Sequence, residues 1–366
     1  MAICLAYFGL ASLQASRSLI KSMNKGDKND QINAWAALGP KEKLVPHKFD
    51  PGQLKADEIE VKVEHCGLCH SDVSVINNDW GLSQYPLVPG HEVVGKIVAL
   101  GNSVKRFEIG ERVGVGWNSE SDMHCRQCLS GNHHLCPNVV PTIIGHRGGF
   151  ADRIRAQWEW VLPLPETLDP SAAGPLMCGG ITVFAPLVLN NIAPTDQVGV
   201  VGVGGLGHMA VKFAKAWGCE VTAFTHSASK LEEARKLGAD HVVSSVDGNA
   251  IRALAGKLDM LLVTVNVPLD WQAFIGTLAP NGRLHIVGAV LEPIPIAAFD
   301  LIMAQRIVTG SPTGSPIMIA KMLEFAARHK ILPTVEHFPM SKINDAIAHF
   351  VAGRARYRVV LDADFK

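Results

Sequence analysis

The spacing of apolar and polar residues divides the chain into two regions. From residue 31 to about residue 116, short runs such as residues 59–63 alternate apolar and polar side chains between turns that contain glycine. A period of two is typical of antiparallel strands, and many short strands separated by glycines favour a small barrel. Another strand is expected to start at 148–151, and the polar, Cys- and His-rich segment 118–138 is predicted to be a loop.

The second region alternates apolar strand patterns with helical patterns. A helix is predicted over residues 172–189 before this region, a second over 316–329 after it, and a last strand over 358–361 is expected to return to the first region. The predicted strands are 197–201, 220–225, 241–245, 259–265, 283–288 and 306–309, and the predicted helices are 206–217, 228–237, 249–256 and 270–279. This alternation predicts an α/β domain with a doubly wound parallel sheet.

A glycine motif connects the first of these strands to its helix. Residues 202–207 read Gly-Val-Gly-Gly-Leu-Gly, a G-x-G-x-x-G in the order strand, turn, helix, strand. Such a turn brings the backbone close to a pyrophosphate, which the N-terminus of the helix stabilises. The predicted cofactor-binding residues here are Gly202, Gly204, Gly205, Leu206 and Gly207. The alternative is a glycine-rich turn without a ligand.

Composition narrows the class of protein. The 366 residues suggest two domains, and the formal net charge of zero gives no basic surplus for nucleic acid. Five of the eight cysteines lie between Cys66 and Cys136 with C-x-x-C spacings, which favours metal binding in a reducing compartment. Since no apolar run reaches the ~18 residues of a membrane span, no membrane segment is expected.

Residues 1–30 are predicted to be a disordered N-terminal extension. Residues 3–13 are mostly apolar, but no Lys or Arg precedes them and no small-residue cleavage site follows clearly. An export signal and an organelle-targeting segment are the alternatives, and Met23 is an alternative start.

Four further motifs carry a family resemblance. They are Cys-Gly-Leu-Cys-His-Ser-Asp at 66–72, Gly-His-Glu at 90–92, Pro-Leu-Met-Cys-Gly-Gly-Ile-Thr at 175–182 and Arg-Tyr-Arg at 356–358. With the glycine motif, they resemble the zinc-dependent medium-chain alcohol dehydrogenases, in particular the cinnamyl-alcohol-dehydrogenase branch and its bacterial NADPH-dependent aldehyde reductases. The resemblance covers about residues 31–365. It implies a GroES-like zinc catalytic domain over 31–178 and 316–366, an NADP-binding Rossmann domain over 179–315, and a homodimer.

The resemblance also implies a catalytic zinc. It assigns the ligands Cys69, His91 and Cys178, with Glu92 able to enter the open position. A catalytic zinc takes three protein ligands and keeps one position for substrate, and two thiolates with an imidazole suit Zn²⁺. Cys66 forms a C-x-x-C with Cys69, so a redox pair or a fourth ligand is an alternative, but the resemblance assigns only Cys69, and Cys66 is expected to be a small buried residue.

A second zinc is expected in the Cys-rich loop, at Asp122, Cys125, Cys128 and Cys136. The family usually has four cysteines here, and Asp122 stands where the first is expected; a carboxylate is an acceptable zinc ligand. His124, His133 and His134 are rival ligands, and a loop without metal is a further alternative. The two ligand sets together predict about two zinc ions per chain.

The residues that follow the strand 220–225 indicate the cofactor. An NAD site usually has an acid about 20 residues after the glycines, but here the chain has Thr225, His226 and Lys230. Hydroxyl and cationic groups suit a 2′-phosphate, so NADP(H) is predicted. Alternatively, Lys230 is only an exposed residue at the start of a helix and binds no phosphate. The resemblance places Thr182 near the nicotinamide and His70 near the pyrophosphate.

The proton path and substrate pocket are also expected from the resemblance. Ser71 matches the hydroxyl that contacts the substrate oxygen, or alternatively caps a turn. Ser74 stands where many members have a relay histidine, and Asp79 where some have a distal acid. Trp80 and Trp117 are expected to line an apolar pocket or simply to pack.

The sequence therefore predicts a cytoplasmic zinc-dependent oxidoreductase that interconverts aldehydes and primary alcohols with NADP(H), mainly as an aldehyde reductase. A quinone or enone reductase of the same fold is one alternative, although such relatives generally lack the zinc ligands. A non-catalytic NADPH-binding protein is another. The expected partners are a small aldehyde or alcohol and a second copy of the chain.

Overall fold

The computed structural model describes residues 31–226 and 229–365, so the expectations for residues 1–30 lie outside the described residues. The described strands are β1 Ile32–Ala36, β2 Val45–Phe49, β3 Glu58–Leu68, β4 Val93–Leu100, β5 Arg112–Val115, β6 Asn118–Glu120, β7 Val140–Pro141, β8 Arg153–Gln157, β9 Val161–Pro163, β10 Gln197–Val201, β11 Glu220–Thr225, β12 His241–Ser244, β13 Leu258–Val263, β14 Leu278–Ile286, β15 Ile307–Gly310, β16 Val335–Pro339 and β17 Arg358–Asp362.

The helices lie between and around these strands. The α-helices are α1 His70–Asn77, α2 Arg126–Leu129, α3 Pro170–Ala173, α4 Gly179–Leu189, α5 Gly207–Trp217, α6 Ser229–Lys236, α7 Gly248–Arg252, α8 Trp271–Gly276, α9 Ala298–Ile302, α10 Pro316–His329 and α11 Ile343–Val351. Short 3-10 helices span His133–Leu135, Trp158–Trp160, Gly174–Met177 and Met340–Lys342.

A six-stranded parallel sheet forms the second region. Its strand order is β12-β11-β10-β13-β14-β15, and every neighbouring pair is parallel. The strand order reverses beside β10, the point where doubly wound sheets bind ligands. The predicted doubly wound sheet is therefore confirmed, and β10, β11 and α10 have the predicted bounds.

Three predicted boundaries of helices and strands in this region are clearly wrong. The helix predicted over 270–279 ends at Gly276, and the strand predicted to start at 283 already starts at Leu278. Residues 280–282, Pro-Asn-Gly, suggest a loop, but they lie in a register shift of β14 against β13. A strand irregularity with turn-type residues cannot be distinguished from a loop by composition. The helix predicted over 249–256 also ends early, at Arg252.

A seven-stranded, mostly antiparallel sheet forms the first region, with only the pair β16–β17 parallel among its described strands. Its order is β16-β17-β3-β4-β5-β9, with β8 also paired to β3. The strand β17 pairs antiparallel with β3, which confirms that the last strand returns to the first region. The segment 118–138 is not a simple loop, because it contains β6, which pairs with β7, and the one-turn helix α2. The domain boundaries predicted at 178/179 and 315/316 stay a prediction.

The helix predicted over 172–189 is broken. The chain forms α3, then a 3-10 helix over Gly174–Met177, then α4, and Cys178 between them has φ −123 and ψ −73. Pro175 lacks an N–H group for a helix, and glycine at 174, 179 and 180 has low helix propensity. The break leaves Cys178 outside regular helix geometry, where its side chain joins the site described below.

One hydrophobic core cluster, called here the first core cluster, consists of buried residues from both sheets and from α4, which lies among them. Phe184 of α4 packs against Phe213 of α5 and Phe325 of α10, with ring centroids 5.5 Å from each. In the described part of the chain, no single helix is long and apolar enough to cross a membrane. The segments Pro170–Met177 and Gly179–Leu189, bent by 54°, meet the length and composition criterion only as a pair.

Candidate active site

Four buried side chains from three separate segments meet in one cluster, called here the catalytic cluster. They are Cys69, His91, Glu92 and Cys178, and one potential ligand atom from each lies within 4.8 Å of the others. Cys69 caps α1 directly after β3, His91 and Glu92 precede β4, and Cys178 occupies the helix break. The structure therefore brings together every residue that the resemblance assigned to the catalytic zinc.

Asp72 orients His91. The His91 Nδ1–H group donates to Asp72 Oδ1 at 2.9 Å, and the backbone N–H groups of Cys69 and Gly90 donate to the same carboxylate at 2.9 and 2.8 Å. Burial alone would lower the pKa of His91, but the Asp72 charge and hydrogen bond outweigh burial and raise it. This carboxylate–histidine pair is typical of metal-binding histidines.

The hydrogen bonding of the other ring nitrogen of His91, Nε2, shows whether the site fits a metal ion. Among the described residues His91 Nε2 has no hydrogen-bond partner although it is buried, and the same is true of Glu92 Oε2. Unpaired buried polar atoms are costly and need an explanation. A zinc ion held by Cys69, His91 and Cys178 would supply the missing partner, so the donor set fits the metal.

Arg358 neutralises Glu92. Its Nη2 group donates a short hydrogen bond to Glu92 Oε1, and both side chains are buried. Burial raises the pKa of Glu92 to about 7, against the opposing charge of Arg358. Neither Arg358 nor Asp72 has a role predicted from the sequence, although both lie inside motifs of the family resemblance, at 356–358 and 66–72; that position is the sequence signal for them.

The two cysteines of the catalytic cluster share a hydrogen bond. The thiol of Cys178 stabilises the Cys69 thiolate, so the pKa of Cys69 lies well below its usual value and that of Cys178 well above. The thiol of Cys66 instead lies 3.7 Å from the Gly67 carbonyl oxygen, and burial raises its pKa. Cys66 is not part of the grouped ligand atoms.

A second group of ligand atoms lies in the segment 122–136, called here the lobe cluster. Asp122, Cys125, Cys128 and Cys136 each place one potential ligand atom within 4.8 Å of the others. The N–H groups of Cys128 and Asn138 donate to the sulfurs of Cys125 and Cys136 at 3.4 and 3.3 Å. Burial, with hydrogen bonds to the other two thiols, raises the pKa of Cys128 to about 12.

Asp122 is held by its own neighbours. Its Oδ1 atom accepts the N–H groups of Cys125 and His124 at 2.9 and 3.0 Å, and its Oδ2 atom accepts from Asn138 Nδ2 at 3.0 Å. These donors, the Cys125 N–H first, lower the pKa of Asp122. The His124 side chain is 84% exposed, and neither His133 nor His134 belongs to the grouped ligand atoms.

A cleft of about 630 Å³ opens at the carboxyl ends of β10, β11 and β13. Gly202 has φ +93, which favours glycine, and a Cβ atom on Gly207 would lie 1.8 Å from the Gly202 carbonyl oxygen. A Cβ atom on Gly204 would meet nothing within 4 Å, so this side of the turn is open. The three glycines provide the tight turn, the open approach and the close helix packing that a pyrophosphate site requires.

The predicted selectivity residues line this cleft. Thr225 is buried at the end of β11, His226 is exposed, and Lys230 lies in the first turn of α6. Lys230 Nζ donates to the carbonyl oxygen of Val203, inside the glycine motif, at 3.2 Å. Burial, followed by the charge of Arg356, lowers the pKa of Lys230.

Five other predicted site residues make the following contacts. Thr182 Oγ1 donates to the Cys178 carbonyl oxygen at 2.8 Å. Ser71 Oγ lies 3.8 Å from Cys69 Sγ, and His70 is exposed, with its ring 6.2 Å from that of Phe350. Gly205 lies against Arg358, and Leu206 precedes α5 and is partly buried against the first core cluster.

Two tryptophans adjoin the catalytic cluster. The Trp117 ring meets the His91 ring edge-on, with centroids 4.9 Å apart, and Trp80 meets Trp117 at 6.1 Å. Both also pack against the barrel core. The structure therefore places them beside the cluster and gives each a packing contact as well.

A buried cysteine–histidine cluster beside a dinucleotide cleft defines a metal-dependent oxidoreductase. Residues 55–166 match the family model of the alcohol dehydrogenase GroES-like domain, and residues 205–328 match that of the zinc-binding dehydrogenases. The chain is 54% identical over 330 residues to aldehyde reductase AdhA of Synechocystis sp., covering 90% of this chain and 98% of the relative. The chain belongs to the zinc-binding alcohol dehydrogenase family.

Solved structures agree with this family. A cinnamyl alcohol dehydrogenase from Sorghum bicolor superposes with a TM-score of 0.87 at 36% identity, covering 91% of this chain and 98% of that one. The Helicobacter pylori enzyme CAD, solved in complex with NADP(H), has a TM-score of 0.84 at 30% identity, with the same coverage of 91% and 98%. The predicted family, the fold class of GroES-like and Rossmann domains, and the assignment as an enzyme are confirmed.

Proposed function

We propose that the protein is a zinc-dependent NADP(H) alcohol dehydrogenase that works mainly as an aldehyde reductase. The observation that carries this proposal is that His91 groups with Cys69, Glu92 and Cys178 while its Nε2 atom has no hydrogen-bond partner among the described residues. The Synechocystis relative is named an aldehyde reductase, and the Helicobacter pylori structure contains NADP(H). When bound, zinc supplies Lewis-acid polarisation of the substrate oxygen, and NADPH supplies the hydride.

The chain's own residues prepare the catalytic cluster. Cys69, His91 and Cys178 would hold the zinc, and Glu92 could enter its open position. Asp72 fixes the protonated nitrogen of His91 as Nδ1, which leaves Nε2 free to act as a ligand. Burial of the whole set excludes bulk water, which strengthens electrostatic interactions with a reacting carbonyl.

Ser71 is the proposed proton donor to the product oxygen. It lies in the first turn of α1, and its hydroxyl is adjacent to the Cys69 thiol. Ser74, at the position of the relay histidine, is 7% exposed, so its hydroxyl has little access to solvent. We therefore propose a short path from Ser71 to water or to the hydroxyl groups of the cofactor, without Asp79.

The lobe cluster is the proposed structural zinc site, with ligands Asp122, Cys125, Cys128 and Cys136. The hydrogen bonds from two N–H groups to sulfur support thiolate character at Cys125 and Cys136. The exposed ring of His124 disfavours it as the fourth ligand.

Thr225, His226 and Lys230 are the proposed NADP phosphate site. The cleft they line has no carboxylate at the end of β11, where NAD-binding sites usually have one. We further propose Thr182 beside the nicotinamide and His70 near the pyrophosphate. Trp80 and Trp117 would form an apolar wall for the substrate, since such pockets are rich in aromatic side chains.

The proposed partner is a second copy of the chain. The strand β15 lies at an edge of the six-stranded sheet, and next to it Phe299 and Met303 are 73% and 76% exposed. An open edge beside exposed apolar residues favours strand pairing between copies. Light scattering should give twice the chain mass, and Phe299→Glu should give monomers, whereas the control Ile109→Glu should not.

We place the enzyme in the cytoplasm, because both ligand sets need reduced thiols.

One assay tests the main function. Purified protein should reduce benzaldehyde or a medium-chain aldehyde faster with NADPH than with NADH, and a chelator should abolish turnover. Reduction of quinones or enones that survives the chelator would favour the alternative reductase, and an absence of turnover with all substrates would favour a non-catalytic NADPH-binding protein.

A further inference from the structure

An ion pair that helix spacing predicts is absent from α6. Lys230 and Glu233 are three residues apart, so their side chains lie on the same face, where oppositely charged groups normally pair. Both residues are described, and no contact of 4 Å or less joins Lys230 Nζ to the Glu233 carboxylate. Lys230 instead donates to the Val203 carbonyl oxygen.

The Glu233 carboxylate is occupied by the chain segment that precedes β17. The Tyr357 hydroxyl donates to Glu233 Oε2 at 2.6 Å, and Arg356 Nε lies 3.6 Å from Glu233 Oε1. Each carboxylate oxygen thus has a partner from outside α6. As a result, the carboxylate that would otherwise pair with Lys230 is engaged by the segment before β17, and it acts on Lys230 only through its charge, which opposes the lowering of the lysine pKa.

The Tyr357 ring is itself fixed. It stacks on the His208 ring at 4.7 Å with an interplanar angle of 7°, and Lys230 Nζ lies 6.0 Å from its centre. His208 belongs to α5, its Nδ1–H group donates to Gly204 O at 3.1 Å, and its Nε2 atom accepts from Thr334 N at 3.2 Å. The hydroxyl is therefore aimed at Glu233 by a ring that contacts the glycine turn.

We propose that Tyr357 and Glu233 are positioning residues for cofactor selectivity: Tyr357 holds the Glu233 carboxylate away from Lys230, so that the ammonium group stays available for a phosphate in the cleft. The ligand class is a nucleotide with a 2′-phosphate. Neither residue touches that phosphate; both act through Lys230. This inference rests on the proposed NADP(H) preference and explains how a lysine beside an acid keeps its charge unpaired.

The test measures binding of adenosine 2′,5′-bisphosphate and adenosine 5′-monophosphate to the full chain by calorimetry. Wild type should bind the bisphosphate more tightly, and Lys230→Ala should lose about tenfold of that affinity, because a hydrogen bond to a charged group is removed. Tyr357→Phe keeps the stacked ring but frees the Oε2 atom of Glu233, while Arg356 still contacts Oε1. It should weaken bisphosphate binding about two- to fivefold, the range of an exposed ion pair, and leave monophosphate binding unchanged.

Rescue separates positioning from packing. In the double variant Tyr357→Phe with Glu233→Gln, no carboxylate is left to compete for Lys230, so bisphosphate affinity should return to that of Glu233→Gln alone. Tyr85→Phe is the matched control, since it removes a tyrosine hydroxyl that donates to Ile76 O at 2.8 Å, away from the cleft. Tyr85→Phe should change the affinity for neither the bisphosphate nor the monophosphate.

The remaining outcomes of these binding measurements would each contradict a different part of the proposal. If wild type binds both ligands equally, the proposed NADP(H) preference is wrong and the positioning role falls with it. If wild type discriminates and Lys230→Ala discriminates equally well, Lys230 is not the phosphate-binding group, and the positioning role of Tyr357 and Glu233 is overturned. Wild type and Lys230→Ala could both behave as expected while Tyr357→Phe keeps full bisphosphate affinity. Tyr357→Phe could also lose affinity for both ligands without rescue by Glu233→Gln. Either result would overturn only the positioning role.

Discussion

The catalytic cluster and the lobe cluster use similar side chains but are assembled differently. The lobe cluster comes from one stretch, residues 122–136, and both Asp122 carboxylate oxygens already accept hydrogen bonds. The catalytic cluster joins three distant segments, and it leaves His91 Nε2 and Glu92 Oε2 without partners among the described residues. A closed metal site can be built locally, whereas a reactive one needs open valences and supporting side chains from elsewhere.

Removing a ligand from the catalytic cluster should have the largest effect. Cys178→Ala should lower kcat by ~10³-fold or more, because several kcal/mol of substrate polarisation is lost. Elemental analysis should show one zinc fewer, and circular dichroism should show an intact fold. Substantial turnover in this variant would mean that the cluster is not the reaction centre.

Removing the proposed proton donor should have the next largest effect. Ser71→Ala should lower kcat by ~10²-fold or more with zinc still bound, since a positioned proton transfer contributes about 10²–10⁴-fold. Ser74→Ala serves as the control and should cost little. Full activity in Ser71→Ala would show that this serine only caps a turn.

Weakening the support of the catalytic cluster should have an intermediate effect. Asp72→Asn keeps the shape but removes the carboxylate that orients His91, so zinc affinity should fall about 10–100-fold. A competition titration with a chromophoric chelator measures this loss. Equal affinity in wild type and variant would show that His91 is oriented by packing alone.

Breaking the lobe cluster should have the smallest effect on chemistry. Asp122→Ala should release one zinc and lower Tm by roughly 5–10 °C, while kcat changes little, because this cluster is separate from the cleft. Asp122→Cys, which restores the usual family ligand, should retain the zinc. If freshly purified wild type already holds only one zinc, the proposal of three cysteines and an aspartate is wrong.

Local patterns were enough to predict much of the fold and the ligand groups. The strands β10 and β11 and the glycine motif follow from residue periodicity and turn chemistry within a few positions. Cys125 and Cys128 are close in sequence, so their meeting needs little beyond a turn. The resemblance supplied the grouping of Cys69, His91 and Cys178, which spacing alone cannot give.

Tertiary contacts account for what was missed. Arg358 meets Glu92 across 266 positions of sequence, and Tyr357 meets Glu233 across 124. The break at Cys178 interrupts an apolar stretch that looks helical throughout, and the irregularity in β14 has the composition of a loop. For Arg358 and Tyr357 the deciding contact is made by a distant partner that periodicity does not reveal, whereas Pro175 and its neighbouring glycines are a local signal for the break.

The interruption at Cys178 also has a mechanical consequence. The chain passes from the barrel into the parallel sheet through this residue, so a rotation between the two regions can pivot there. Points move along arcs that lengthen with distance from a pivot, so the metal ligands would shift least and the outer rim near Lys230 most. Every residue that lines the cleft belongs to the parallel-sheet region, so the cleft would move as one piece past the barrel while the coordination sphere keeps its geometry.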